Sequence, residues 1–154
     1  MKNKDLFRLY QGLNDVSYFN GVKFAYSVVK NKKLIEAEIK TFEEVIKPTE
    51  EFQKYEQKRV ETCEKYCERQ EDGKPVVENN AYKIIDKISF DKELEQLKTD
   101  SQEMLDYREQ QLKEYNELLD EDTKLELVKV SVDNLPNGIT SSQIESIYEI
   151  IDEN

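Results

Sequence analysis

The sequence predicts a mainly α fold: an elongated, coiled-coil-like antiparallel helical hairpin, with a small β-hairpin at its tip and a short strand plus C-terminal helix at its base. Three observations predict it. Charged residues make up 37% of the chain and apolar residues 37%, against roughly 25% and 45–50% in an average globular domain. That balance suits narrow apolar stripes on long helices better than a spherical core. Only four Gly and three Pro interrupt the 154 residues. Finally, the stretch from Glu71 to Tyr82, with Asp72-Gly73, Pro75 and Asn79-Asn80, is a non-helical interruption between two long helical patterns. The length fits one domain over 1–154.

The first element is a short helix over 5–16, where Leu6, Leu9, Tyr10 and Leu13 recur at helical spacing behind Asp5 as N-cap. A strand through Leu6–Tyr10 is the competing reading. Asn20-Gly21 marks a turn. The first arm then runs over 22–69, with Val28, Ile35, Ile39, Phe42 and Ile46 on one stripe and Phe52, Tyr55, Cys63 and Tyr66 beyond it. Pro48 lies inside this arm, and an interior proline costs about 3 kcal/mol in a lost hydrogen bond and a clash. Either the arm kinks near Pro48, which is the expectation, or it stops at Ile46 and restarts at Pro48 or Thr49.

Residues 73–85 read as the tip hairpin, turning at Glu78-Asn79-Asn80 because Asn tolerates the left-handed backbone of tight turns. The second arm covers 87–119, opening near Asp86 or Ser89. Phe90, Leu94, Leu97, Ser101, Met104, Arg108, Gln111, Tyr115 and Leu118 alternate at steps of four and three. The polar residues on that seam make it an imperfect coiled coil. Residues 124–132 are β-branched and partly alternating, and read as a strand. A lone strand exposes unpaired backbone groups, so a partner is expected for it. The N-terminal segment, the same strand of another subunit, or another protein by β-addition could serve. Leu135-Pro136-Asn137-Gly138 is a turn, Thr140 to Gln143 matches a capping box, and Ile144, Ile147, Tyr148 and Ile151 stripe a final helix over 141–152.

Charge narrows the function classes. The net charge of −11 is uneven: residues 1–40 carry +4 and residues 100–154 carry −11. Such an acidic half repels nucleic acid and anionic membranes, since phosphate binding rests on Lys and Arg. The basic start, Lys23, Lys30, Lys32 and Lys33 near Phe24 and Tyr26, is a short candidate nucleic-acid patch; pairing with the acidic half, within or between subunits, explains it more economically. No stretch is apolar enough to span a membrane, and no signal peptide is evident, so a cytosolic protein is expected.

Catalytic signals are weak throughout. The chain has no histidine, no phosphate-binding Gly loop and no nucleophile elbow. Cys63 and Cys67 lie one helical turn apart and read as reduced, partly buried thiols; two thiols are half of a zinc site. Glu117, Asp120, Glu121 and Asp122 form a carboxylate cluster without a pocket to tune it or the spacing of a calcium loop. A non-enzymatic protein without cofactor or metal is therefore expected. The partner-binding candidates are the acidic Glu114, Glu117, Asp120 and Glu121, and the strand residues Leu127, Val128, Val130 and Val132. A homo-oligomer through 124–132 or through the helical arms is a further expectation.

At Gly21-Val22-Lys23-Phe24-Ala25-Tyr26-Ser27-Val28-Val29-Lys30-Asn31-Lys32-Lys33-Leu34 the chain resembles a family of short bacteriophage and prophage proteins of unknown function. The likeness continues through Ile46-Lys47-Pro48-Thr49-Glu50-Glu51-Phe52, Glu71-Asp72-Gly73-Lys74-Pro75-Val76-Val77-Glu78-Asn79 and Tyr115-Asn116-Glu117-Leu118-Leu119. These are structural punctuation marks, not chemical motifs. The resemblance implies a phage origin, a helical hairpin, and residence in the host cytoplasm or the virion. The leading functional expectation is a protein that binds another protein, either a phage structural component or a host factor. The rival is an acidic inhibitor of a host defence nuclease or nucleic-acid-binding complex, acting as a phosphate decoy.

Overall fold

A computed structural model describes residues 1–153. The protein is mainly helical, with two small two-stranded sheets. In chain order the elements are α1 (Asp5–Asp15), α2 (Val22–Ile46), α3 (Glu50–Tyr66), β1 (Val77–Glu78), β2 (Ala81–Tyr82), α4 (Lys87–Asp100), α5 (Gln102–Asp120), β3 (Val130–Ser131), α6 (Ser141–Ser146) and β4 (Ile151–Asp152). They form two compact units: Met1–Ile46 with the chain from Lys113 onward, and Lys47–Leu112.

The first unit holds the larger core. Leu6, Leu9, Leu13 and Val16 from the first helix and its end meet Phe24, Val28, Ile35 and Phe42 from α2, with Val130, Ile147 and Ile150 closing the cluster. The helical reading of Leu6–Tyr10 is therefore the right one. Asp5 differs from its expected role: it is the first helical residue, and its carboxylate accepts from the Lys2 N–H at 2.8 Å. Gly12 lets α1 approach α6 closely, since a Cβ there would lie 2.5 Å from the Ser146 carbonyl oxygen.

The N-terminal residues cap the end of α5. The last carbonyls of a helix have no partner within it. Here the Asn3 side-chain amide donates to Leu118, the Lys4 N–H to Leu119, the Lys2 ammonium to Asp120 and the Asn3 N–H to Glu121, at 2.7–3.0 Å. The two lysines also place positive charge at the negative end of the helix dipole.

The strand expected over 124–132 is mostly absent. Residues 124–129 belong to no strand or helix, and β3 is two residues long, paired in parallel with β4 through Val130↔Ile151 and Ser131↔Asp152. Just before it, Asn31 of α2 bonds both backbone groups of Val128. The helix expected over 141–152 is also shorter. Its capping box is present at Thr140 and Gln143, but α6 ends at Ser146, a 3₁₀ turn covers Tyr148–Ile150, and β4 follows. Pairing with β3 takes the backbone of Ile151 out of the helix.

In the second unit α3 and α4 run antiparallel. Lys65 near the end of α3 meets Glu93 near the start of α4 at 2.6 Å, and Tyr66 donates to the same carboxylate at 2.7 Å. The arm expected over 22–69 does not kink; it breaks. α2 stops at Ile46, and Thr49 caps a new helix by accepting from the Phe52 N–H. The second arm breaks too, at Ser101, whose backbone leaves the helical region at φ −113° and ψ 13°. The unit is thinly packed: Tyr55, Thr62 and Cys67 are its buried residues, and α4 has none.

The tip hairpin forms within the expected 73–85. β1 and β2 pair antiparallel around Asn79 and Asn80, which take φ of 51° and 62°, a two-residue turn with both centres left-handed. A third extended segment joins them. Val76 N–H donates to the Glu68 carbonyl, Glu68 N–H to Lys83 and Lys83 N–H to Val76, closing a ring of three backbone hydrogen bonds at 2.8–3.0 Å.

Candidate functional site

Long helices burying one stripe should leave their opposite face polar, and α2 departs from that at its start. Val22, Tyr26 and Val29, at i, i+4 and i+7, lie on the side of α2 away from Phe24, Val28 and Ile35. They are 89%, 63% and 53% exposed. Beside them runs a groove of about 350 Å³ lined by Val22, Tyr26 and Ser27 on one wall and by Val128–Ser131 and Asn134 on the other. The hydrogen bonds from Asn31 hold the second wall against α2. Lys23 and Lys129 flank the groove, and the Lys129 ammonium is tethered to the Glu149 carbonyl at 2.6 Å.

The expected site residues divide into two groups. Val128 and Val130 line this groove, Val130 being itself buried in the core. Leu127 is half-buried against the same core, and Val132, just past β3, is 50% exposed. The acidic residues lie elsewhere in this unit, at the end of α5 beside Lys2–Asp5. Glu114, Glu117, Asp120 and Glu121 are all exposed, and none lines the groove. Asp120 is paired with Lys4 at 2.6 Å. That hydrogen bond and charge hold the Asp120 carboxyl below the usual carboxylate range and raise the Lys4 ammonium. Glu117 faces Lys113 at 4.0 Å, and the Glu121 carbonyl accepts from Asn3. The expected acidic face is thus partly neutralised by the basic N-terminus.

Val22, Val29 and Asn31 are functional candidates that the main apolar stripe of α2 does not single out. Their signals were present: three apolar residues one helical repeat apart but off the main stripe, and one asparagine on it. Of the basic patch, Phe24 is core and Tyr26 is surface, while Lys32 lies 5.9 Å from the centre of the Tyr10 ring. Cys63 and Cys67 are free thiols, the second buried. Among the described residues no group of three or more His, Cys, Asp or Glu could hold a metal ion, and no helix is long and apolar enough to cross a membrane. No protein-family model matches the chain, and neither a curated protein nor a solved structure matches it.

Proposed function

We propose that this is a non-enzymatic, phage-encoded protein that works by binding another protein, a virion or assembly component or a host factor. The observation that supports this is the apolar trio Val22, Tyr26 and Val29 standing exposed beside a groove whose other wall is pinned in place. Isolated surface aliphatics are ordinary; three aligned on one helix face beside a concavity mark a contact surface. The groove lining offers hydroxyl, amide and ammonium groups but no carboxylate or thiol to act as base or nucleophile. The phosphate-decoy alternative draws less support, because Lys4 already occupies Asp120 and Lys2 its carbonyl.

The test is affinity capture from phage-infected cells with the wild-type chain and a Val22→Glu/Tyr26→Glu variant side by side. A phage structural protein or host factor held by the wild type and lost from the folded variant is the expected result. Retention of the same proteins by the variant would refute the groove as the contact. Loss on reversing Glu114, Glu117 and Glu121 instead would favour the decoy.

The antiparallel α3–α4 pair supports the further proposal that the chain as a whole is an elongated hairpin. Solution scattering checks it: a compact chain of this length has a radius of gyration of about 15 Å, and an elongated one exceeds it clearly. Self-association through 124–132 or through the helices is likewise a proposal, tested by light scattering.

A further inference from the structure

The groove beside α2 carries a charge opposite to that of the protein around it. On the exposed side of α2, Lys23, Lys30 and Lys33 lie alongside the apolar trio, and among the described residues none of the three has an ion-pair partner. Lys129 adds a cation on the facing wall. Asp133 lines the adjoining depression with Lys23, and Glu36 is paired with Lys40 at 3.4 Å. The groove lining thus holds two cations, Lys23 and Lys129, and no carboxylate, on a chain of net charge −11.

We infer that the groove and the exposed face of α2 beside it take an acidic, amphipathic peptide segment of the partner protein, its apolar side chains against Val22, Tyr26 and Val29 and its carboxylates against Lys23, Lys30 and Lys33. This rests on the protein-binding function proposed above and names the partner's chemistry. From Val22 to Lys33 the helix face is roughly 16 Å long, which matches a helical segment of about ten to twelve residues. A continuous polyanion is a poorer occupant. Nucleic acid would meet the repulsion of the remaining acidic surface over its whole length, whereas a short peptide samples only the local field. A second copy of this chain brings the same net −11 and is disfavoured for the same reason.

Fluorescence anisotropy with the full chain decides the matter. Two labelled peptides of about fifteen residues carry the same Leu and Phe anchors at i, i+3, i+4 and i+7, one with Glu and one with Lys at the remaining positions. The Glu peptide is expected to bind, to weaken as salt rises, and to lose roughly tenfold in affinity with a Lys23→Glu/Lys30→Glu/Lys33→Glu variant. Tyr26→Ser should weaken it without changing its salt dependence. Equal binding of both peptides overturns the charge selection and leaves the docking groove standing. Binding of neither, or indifference to Tyr26→Ser, overturns the groove itself. Tighter binding of a single-stranded oligonucleotide or of phosphatidylglycerol vesicles, lost in the triple variant, would replace the peptide by a polyanion. Tyr26-dependent self-association by light scattering would replace it by a second copy.

Discussion

The side chain of Asn31 holds the backbone of Val128 as a neighbouring strand would. Its Oδ1 accepts from the Val128 N–H and its Nδ2 donates to the Val128 carbonyl, both at 2.8 Å, and the asparagine is fully buried. A segment beside a helix and outside any strand has no ladder to join, so its polar groups need other partners. One amide satisfies a donor and an acceptor together.

Replacing Asn31 by Leu keeps the branched shape and the number of side-chain heavy atoms and strands both groups. Each buried unsatisfied group costs about 1–3 kcal/mol, so Asn31→Leu should lose about 2–4 kcal/mol in urea denaturation. It should also loosen the groove wall, seen as faster amide exchange at Val128. A loss within a few tenths of a kcal/mol of zero would mean the segment finds other partners.

Asn3 and its neighbours cap α5 from a distant part of the sequence. Asn3 is buried and bonds Leu118 by its side chain and Glu121 by its backbone. Asn3→Ala removes the side-chain bond and should cost about 1–2 kcal/mol. Exchange should quicken at the amides of the last turn of α5 before it does in α2. Uniform loss of protection would point instead to global destabilisation.

How far these features were legible follows from the range of the interactions. The stripes of α1 and α2, the Thr140–Gln143 box and the Asn79-Asn80 turn are set by residues within a few positions of one another, and periodicity finds them. The break at Ile46 was local as well, but Pro48 permits a kink or a stop, and the capping Thr49 decides it. Asn31 with Val128, Asn3 with Leu118 and β3 with β4 join distant parts of the chain, and no local pattern encodes such partners. Residues 124–132 carry the pattern of an unpaired strand because the residues that satisfy part of its backbone, Asn31 and Ile151, sit in helical patterns. The acidic cluster has the sequence pattern of an open face for the same reason, since Lys2 and Lys4 stand far from it in sequence.

Gly12 gives a sharper packing test. A Cβ there would sit 2.5 Å from the Ser146 oxygen and 2.9 Å from its carbonyl carbon, atoms of backbone that cannot rotate away. Gly12→Ala should favour the isolated helix yet cost the protein about 1–3 kcal/mol through overpacking. Trimming the opposing side chain with Ser146→Gly should not restore the loss, because the clash is with the main chain. Restoration would mean that the serine hydroxyl, 2.8 Å from the same point, is the true obstacle.

At the tip, Asn79 and Asn80 both hold left-handed backbone. Asn80→Gly relieves the second position and should stabilise the second unit by about 0.5–1 kcal/mol. The Asn79→Ala/Asn80→Ala pair should destabilise it, since alanine resists that conformation. Thermal melting checks both signs; equal melting temperatures would show that the three-way ring at Glu68, Val76 and Lys83 fixes the tip alone.

The exposed ion pairs set the pH response. Hydrogen bonds from Lys4 and from Lys65 hold Asp120 and Glu93 below the ordinary carboxylate range and raise the two lysines. A depressed carboxyl contributes stability that is present above its unfolded value, about 3.9 for Asp and 4.3 for Glu, and lost as the pH falls through the folded value. The raised lysines contribute below about 10.4 and lose that contribution as the pH climbs through their folded values. Asp120→Asn and Glu93→Gln should therefore lower the urea midpoint at neutral pH, with the gap to wild type closing as the pH falls through the folded values of the two carboxyls. It should also narrow at high pH once Lys4 and Lys65 deprotonate. Because both pairs are solvent-exposed, salt should shrink the gap at neutral pH. A gap unchanged across the whole range would remove charge pairing as its cause and leave packing of the carboxyl group in its place.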